Sequence, residues 1–340
     1  GTAEACMAEQ AELFTGGGAR ALPVLERRGD ALFYALDGAR LAAPGTGVMR
    51  GTLTVNPYVG CEFSCAYCYA PYAHGWLMER LGETGRLLRD PGTPTAFDRA
   101  IFVKRAGQSV GGAVRRAPGA LVALGTATDP YQPAERRFGI TRGVLETLAG
   151  MRGVRVSITT KSPLVLRDLD LLERIRARGG RVDVHVSLIS TDARLLRAIE
   201  PRSPTPARRL DALRRLRERG IRAGVFAMPL LPGLTDTQES IDALFAVARD
   251  ADACYVVAGG VRLSEVSWRR FLPVLRALRP DLVDAYEEII RRRSPRRARY
   301  REKLDARIEQ ARARFGFNRG AFPSMKPDEA EAPQLALFGC

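Results

Sequence analysis

Between Leu121 and Val257 short apolar runs alternate with stretches of helical periodicity, and this rhythm restricts the fold more than any other feature of the 340-residue chain. The runs Leu121–Leu124, Val154–Ile158, Val182–Leu188, Ile221–Ala227 and Cys254–Val257 read as buried strands. Between them Ile140, Val144, Leu145 and Leu148 fall on one helical face. So do Leu169, Leu172 and Ile175; then Leu210, Leu213 and Leu216; then Ile241, Leu244, Phe245 and Ala248. Repeated βα units imply a parallel sheet. Leu53-Thr54-Val55 supplies an earlier strand, and six main strands fit a partial (β/α)6 TIM barrel, with a doubly wound sheet as the competing arrangement. In a parallel barrel, function gathers at the C-terminal strand ends.

The first of those ends leads through Asn56-Pro57-Tyr58-Val59 into Gly60-Cys61-Glu62-Phe63-Ser64-Cys65-Ala66-Tyr67-Cys68-Tyr69, where three of the six cysteines fall within eight residues. Three such close thiols cannot pair evenly in disulfides. A four-ligand zinc site needs another donor, and neither His74 nor another cysteine completes a familiar zinc spacing. A [4Fe-4S] cluster fits better, because three thiolates hold three irons and leave the fourth open to a small chelating ligand. Cys61, Cys65 and Cys68 are therefore the candidate metal ligands; zinc and purely structural thiols are the alternatives.

Cysteine use of this kind does not resemble a secreted disulfide framework. The sequence opens with no basic head and apolar run, and no stretch reaches the length of a membrane span, so the expected location is the cytoplasm, with no membrane partner. The chain is long enough for one large core, as a single barrel with extensions or as two domains. A net charge of +15 suggests a polyanionic partner, nucleic acid foremost, although an arginine-favouring coding bias accounts for it equally well. Only four of the 53 cationic residues are lysines (Lys104, Lys161, Lys303, Lys326), so a retained lysine marks a place where a compact ammonium is useful.

The strand ends are polar: Thr126, Thr128 and Asp129; Thr159, Thr160 and Lys161; Ser187, Ser190, Thr191 and Asp192. Hydroxyls and one ammonium around a common mouth suit a polar, carboxylate-bearing ligand. The same residues also form turns and helix caps, which is the reading taken for Thr159 and Thr160.

Together these residues resemble the spore photoproduct lyase-like branch of the radical S-adenosylmethionine (SAM) superfamily. The resemblance runs from about Thr52 to Arg270. It rests on Cys61-x-x-x-Cys65-x-Tyr67-Cys68-Tyr69, Thr128-Asp129-Pro130-Tyr131-Gln132-Pro133, Thr159-Thr160-Lys161, Ser187 to Ser190, Glu200-Pro201-Arg202, Arg209-Leu210 and Pro229-Leu230-Leu231-Pro232-Gly233. It implies a partial barrel of the radical SAM type, a [4Fe-4S] cluster and SAM, cleaved to a 5′-deoxyadenosyl radical, chemistry that a cofactor must carry. It further implies that Lys161 and Ser187 contact the cofactor and that Glu200-Pro201-Arg202 shapes the mouth; Tyr67, Thr126, Asp129 and Ser190 complete the candidate cofactor set. In the family's best known activity, a cysteine at the end of the second strand returns hydrogen to a thymine lesion. Here that position falls at or beside Thr126, whose O–H bond is too strong to substitute. Cys254, at a strand start, reads as a core residue. Tyr67, Tyr69 and Tyr131, with Thr126, are the candidate catalytic residues, the tyrosines either relaying a radical or packing around the cluster. His74 reads as a turn or substrate residue, His185 as a satisfied core histidine, and Trp76 as packing.

Residues 1–50 read as a lead-in containing a small strand at Leu32–Leu36, 51–272 as the barrel, 273–324 as a helical C-terminal extension and 325–340 as a tail. In the extension Tyr300, Leu304, Ile308, Ala311 and Phe315 make an apolar stripe. Arg291, Arg292, Arg293, Arg296, Arg297, Arg299 and Arg301 suit a phosphate backbone or a solvated face. In the tail a polar tether precedes Gln334-Leu335-Ala336-Leu337-Phe338, similar to the peptide by which bacterial repair proteins bind the sliding clamp. The leading expectation is a radical SAM enzyme acting on a nucleic-acid base, DNA favoured, and supplied with electrons by a flavodoxin or ferredoxin. The alternatives are modification of RNA, a peptide or a small molecule, and a non-catalytic iron–sulfur DNA-binding or redox-sensing module.

Overall fold

The computed structural model describes residues 24–28, 31–36, 41–45, 49–70, 100–104, 108–291 and 295–317. Its strands are β1 (Val24–Arg28), β2 (Ala31–Leu36), β3 (Ala42–Pro44), β4 (Thr52–Val55), β5 (Tyr58–Val59), β6 (Ala100–Lys104), β7 (Leu121–Leu124), β8 (Arg155–Thr160), β9 (Arg181–Ser187), β10 (Arg222–Leu230) and β11 (Val256–Gly260). The longer helices are α1 (Gln108–Arg116), α2 (Ile140–Ala149), α3 (Leu169–Ala177), α4 (Ala193–Ile199), α5 (Pro206–Glu218), α6 (Gln238–Asp250), α7 (Glu265–Leu278) and α8 (Pro295–Arg314).

The main sheet has the order β11-β10-β9-β8-β7-β4-β3. Its strands from β4 to β11 are all parallel, and β3 adds an antiparallel edge. This is the expected partial barrel of six parallel strands. Because side chains alternate along a strand, Val156, Ile158, Val182, Val184, Val186, Ala223, Val225 and Ala227 lie in the core. The opposite face carries Ser157, Thr159, Asp183, His185, Ser187, Phe226 and Met228. Gly224 leaves the space into which the Tyr255 ring fits: a Cβ there would stand 2.4 Å from it.

Outside the barrel, β6 joins a second, four-stranded sheet, β1-β2-β6-β5, where Ile101 and Val103 pack with Phe33, Tyr58 and Ala134. Within the barrel several expected boundaries move. Thr159 and Thr160 are strand residues, not turn formers, because they pair with His185 and Val186. β10 runs through Pro229 to Leu230 beyond a break in register, and β11 starts at Val256 instead of Cys254.

Helix α8 buries Leu304, Ile308 and Ala311, three members of its stripe. Arg312 Nη1 donates to Val256 O at the start of β11, at 3.0 Å, whereas Leu304 packs over Gly260 at its end. The helix therefore runs antiparallel to β11 and carries its arginine-rich first turns to the barrel mouth. Among the described residues no helix is long and apolar enough to cross a membrane.

Candidate active site

The loop from Gly60 to Cys68 is suspended between three walls of the mouth. On the β7 side, Thr128 Oγ1 and Gln132 Nε2 donate to Gly60 O at 2.6 and 3.1 Å, and Glu62 N donates to Gln132 Oε1 at 2.9 Å. On the β9 side, Ala66 N donates to Ile199 O at 2.9 Å. From the last βα unit, Ser267 Oγ donates to Cys68 O at 2.9 Å. Gly60 and Ser64 both take positive φ, which bends the chain so that the cysteines follow one another around a tight turn.

Cys61, Cys65 and Cys68 are free thiols, Cys65 buried and the other two half-buried. Burial pushes the Cys61 thiol well above its usual range and the Cys65 thiol up to about 12, the latter opposed by the Lys161 ammonium. Bare thiolates are thus disfavoured in this pocket, and a cationic iron centre is the kind of group that offsets the cost. Among the described residues no three acidic, histidine or cysteine side chains converge as they would on a single ion. A cluster asks for no such convergence, because each thiolate grips a different iron. The donor set fits the group.

Beside Cys65 lies a buried ionic hub. Glu200, 1% exposed, accepts from Tyr67 OH and from Arg209, while Lys161 Nζ stands 3.9 Å from the same carboxylate and 5.9 Å from the centre of the Tyr67 ring. Burial lowers the Lys161 pKa, but the Cys65 sulfur and Glu200 more than offset this and hold the ammonium charged. Ser203 Oγ is 3.8 Å from Cys65 Sγ.

The other candidates divide. Tyr69 is 53% exposed and donates to Thr126 O, and Thr126 Oγ1 accepts from Asn56 Nδ2 at 2.9 Å, so both stand at the mouth. Ser187 ends β9 beside the Glu200–Arg209 pair, its carbonyl 3.0 Å from Arg209 Nη1. Ser190 Oγ accepts from Asp192 N at 3.0 Å, a turn contact. Asp129 accepts from Tyr131 N, Thr160 Oγ1 and Lys161 N at 2.9, 2.7 and 2.8 Å, so it braces the end of β8 against the turn that follows β7. Tyr131 is withdrawn from the mouth: it is wholly buried, and burial followed by Asp168 raises its phenol well above the usual range. His185 is bonded through both nitrogens, to Ser157 Oγ and Tyr255 OH, each at 2.7 Å. His74, Trp76, Arg292, Arg293 and the peptide Gln334–Phe338 lie outside the described residues.

Sequence reasoning did not assign roles to Asn56, Gln132, Ser203, Arg209 or Ser267. Arg209 left a trace: it falls on the same face of α5 as Ala212, Leu213 and Leu216, where an arginine must find buried acceptors. The other four act through backbone groups, neighbouring hydroxyls or a sulfur, and polar residues in loops and first helical turns give no such signal.

Residues 55–245 match the family model described as Radical SAM superfamily. An uncharacterised protein of Mycobacterium tuberculosis is 34% identical over 302 residues, covering 87% of this chain and 84% of that protein. An uncharacterised protein of Methanocaldococcus jannaschii is 28% identical over 184 residues, covering 54% and 62%. Among solved structures, a spore photoproduct lyase variant with bound AdoMet and dinucleoside spore photoproduct superposes with a TM-score of 0.57 at 16% identity, covering 77% of this chain and 74% of that one. The likeness supports the fold.

Proposed function

Because the chain belongs to the radical SAM superfamily, whose members use a [4Fe-4S] cluster and SAM, we propose that it is an enzyme acting on a nucleic-acid base, DNA foremost, by repair or modification. When bound, cluster and SAM supply a carbon-centred radical that abstracts hydrogen. The chain's own residues do the rest. Cys61, Cys65 and Cys68 would hold the cluster. Lys161 would meet the SAM carboxylate, and Ser187 and Ser190 would line its site with Thr126 and Tyr67. Asp129 and Glu200 act by fixing those neighbours. Tyr69, whose ring is open to the mouth, is the tyrosine assigned to hydrogen transfer with Thr126 beside it. Tyr131 supports the loop by packing.

The single observation that carries the substrate class is that the three thiols and the arginine-bearing end of α8 share one mouth. A phosphate backbone held by Arg296, Arg299 and Arg301 would present a base to the barrel. Thr126 in place of a thiol argues for a hydrogen donor other than a cysteine there, so a lyase-type reaction here differs in its final step. We further assign the chain to the cytoplasm, with a flavodoxin or ferredoxin as reductant and Gln334, Leu335, Leu337 and Phe338 as a sliding-clamp peptide; deleting residues 334–340 should abolish clamp binding.

The test is anaerobic incubation of the reconstituted enzyme with reductant, SAM and damaged DNA, followed by mass spectrometry. The reading expects 5′-deoxyadenosine together with an altered nucleoside. 5′-Deoxyadenosine that accumulates while every nucleoside stays unchanged, across ultraviolet-damaged, alkylated and intact DNA, overturns the substrate assignment. No 5′-deoxyadenosine at all overturns the catalytic one.

A further inference from the structure

We propose that Arg209 is a positioning residue that locks the SAM-facing end of β9 to the cysteine loop before SAM arrives; the inference rests on the radical SAM reading. Arg209 lies on the buried face of α5 and is 1% exposed. A guanidinium at that depth must satisfy a planar fork of donors. Nε donates to Pro204 O at 2.8 Å, Nη1 to Ser187 O at 3.0 Å, and Nη2 to the Glu200 carboxylate.

The second oxygen of Glu200 accepts from Tyr67, which stands between Cys65 and Cys68. One rigid side chain therefore fixes two things: the backbone at Ser187 and, through Glu200, the loop that carries the thiols. The loop is stitched to the same segment twice more, by Ala66 N on Ile199 O at 2.9 Å and by the 3.8 Å contact of Cys65 Sγ with Ser203 Oγ. Because the fork is planar, it can reach Ser187 and Glu200 together only at one separation of strand end and loop. Groups that orient a metal's ligands without touching the metal commonly change affinity or activity by about ten- to a hundredfold when removed.

The test uses the full chain with its cluster reconstituted anaerobically, and SAM as the probe. Arg209→Met should keep iron and sulfide near the wild-type ratio yet weaken SAM binding about tenfold or more. It should also blunt the change that SAM makes in the electron paramagnetic resonance spectrum of the reduced cluster. Tyr67→Phe, which removes one hydroxyl from the chain of contacts and leaves the buried ion pair intact, should shift both readouts in the same direction by less. The double variant should be no worse than Arg209→Met alone, since residues acting in series are not additive. Wild-type SAM affinity with an unaltered spectral response in either single variant overturns the inference, as does strict additivity in the double variant. If Arg209→Met does not fold, Arg209→Lys, which keeps the charge but lacks the fork that reaches Ser187 O and Glu200 together, takes its place and is read by the same two measurements. A wild-type chain that takes up no cluster overturns the radical SAM reading itself, whereas normal uptake with undisturbed variants overturns only the role of Arg209.

Discussion

Gln132 holds the cysteine loop by its backbone: its side-chain oxygen takes the Glu62 N–H at 2.9 Å while its nitrogen reaches back to Gly60 O at 3.1 Å. The amide is wholly buried and also donates to Thr128 Oγ1 at 3.0 Å. Gln132→Leu would strand a buried N–H beside Cys61, a loss of about 1–3 kcal/mol. The expected result is a lower melting temperature and faster bleaching of the cluster's visible absorbance under a chelator. Gln132→Glu, which keeps the acceptor for Glu62, should fall between. A Gln132→Leu chain that holds iron as long as the wild type would show that the loop does not depend on this clamp.

The four described cysteines should separate cleanly. Replacing Cys61, Cys65 or Cys68 by serine removes a sulfur donor and should leave iron and sulfide well below the wild-type ratio. Cys254→Ser, at a half-buried thiol before β11, should retain both. Retained stoichiometry in the Cys65→Ser chain, or loss in the Cys254→Ser chain, would reassign the ligands.

The barrel was legible because its signal is apolar periodicity, which short strands and helices such as Leu121–Leu124 and Ile140–Ala149 carry within themselves. The candidate ligands were legible for a similar reason: Cys61, Cys65 and Cys68 are neighbours in sequence. What stayed hidden is long-range. Glu200 and Tyr67 are 133 positions apart, and Ser267 and Cys68 are 199 apart, so no local pattern announces their meeting. Asp129 is a further case. Its place at a strand end suggested a ligand contact, and the three donors that its carboxylate gathers once the chain is folded were not announced by any local pattern.

His185 gives a pH prediction. Burial, with Arg222 adding to it, lowers its pKa to about 3 from an ordinary 6.5. Between those values the unfolded chain binds the extra proton and the folded chain does not. Stability therefore rises with pH through this window and is lost as pH falls from the upper value toward the lower. The slope from this one group approaches about 1.4 kcal/mol per pH unit. His185→Gln should lower stability at neutral pH by breaking the Ser157 and Tyr255 bonds, and should flatten the acid limb by one proton. Urea unfolding at several pH values measures both; an acid limb of unchanged steepness would mean that His185 titrates normally.

Salt dependence tests the arginine rim. Arg299 and Arg301 are exposed in the first turns of α8, N-terminal to the buried Leu304, Ile308 and Ala311, so reversing their charge should leave the folded chain within about 0.5 kcal/mol of wild-type stability. If each arginine neutralises one phosphate, binding of duplex DNA by the Arg299→Glu/Arg301→Glu chain should weaken. The steepness of log K against log salt should also fall by about 0.9 for each phosphate left without its arginine. Control reversals at Arg176 and Arg219, which lie on α3 and at the end of α5, at the opposite end of the barrel from the mouth, should change the slope far less. Equal effects from the two pairs would mean that DNA responds to net charge alone, and the mouth would lose its claim as the place where a nucleic acid is held.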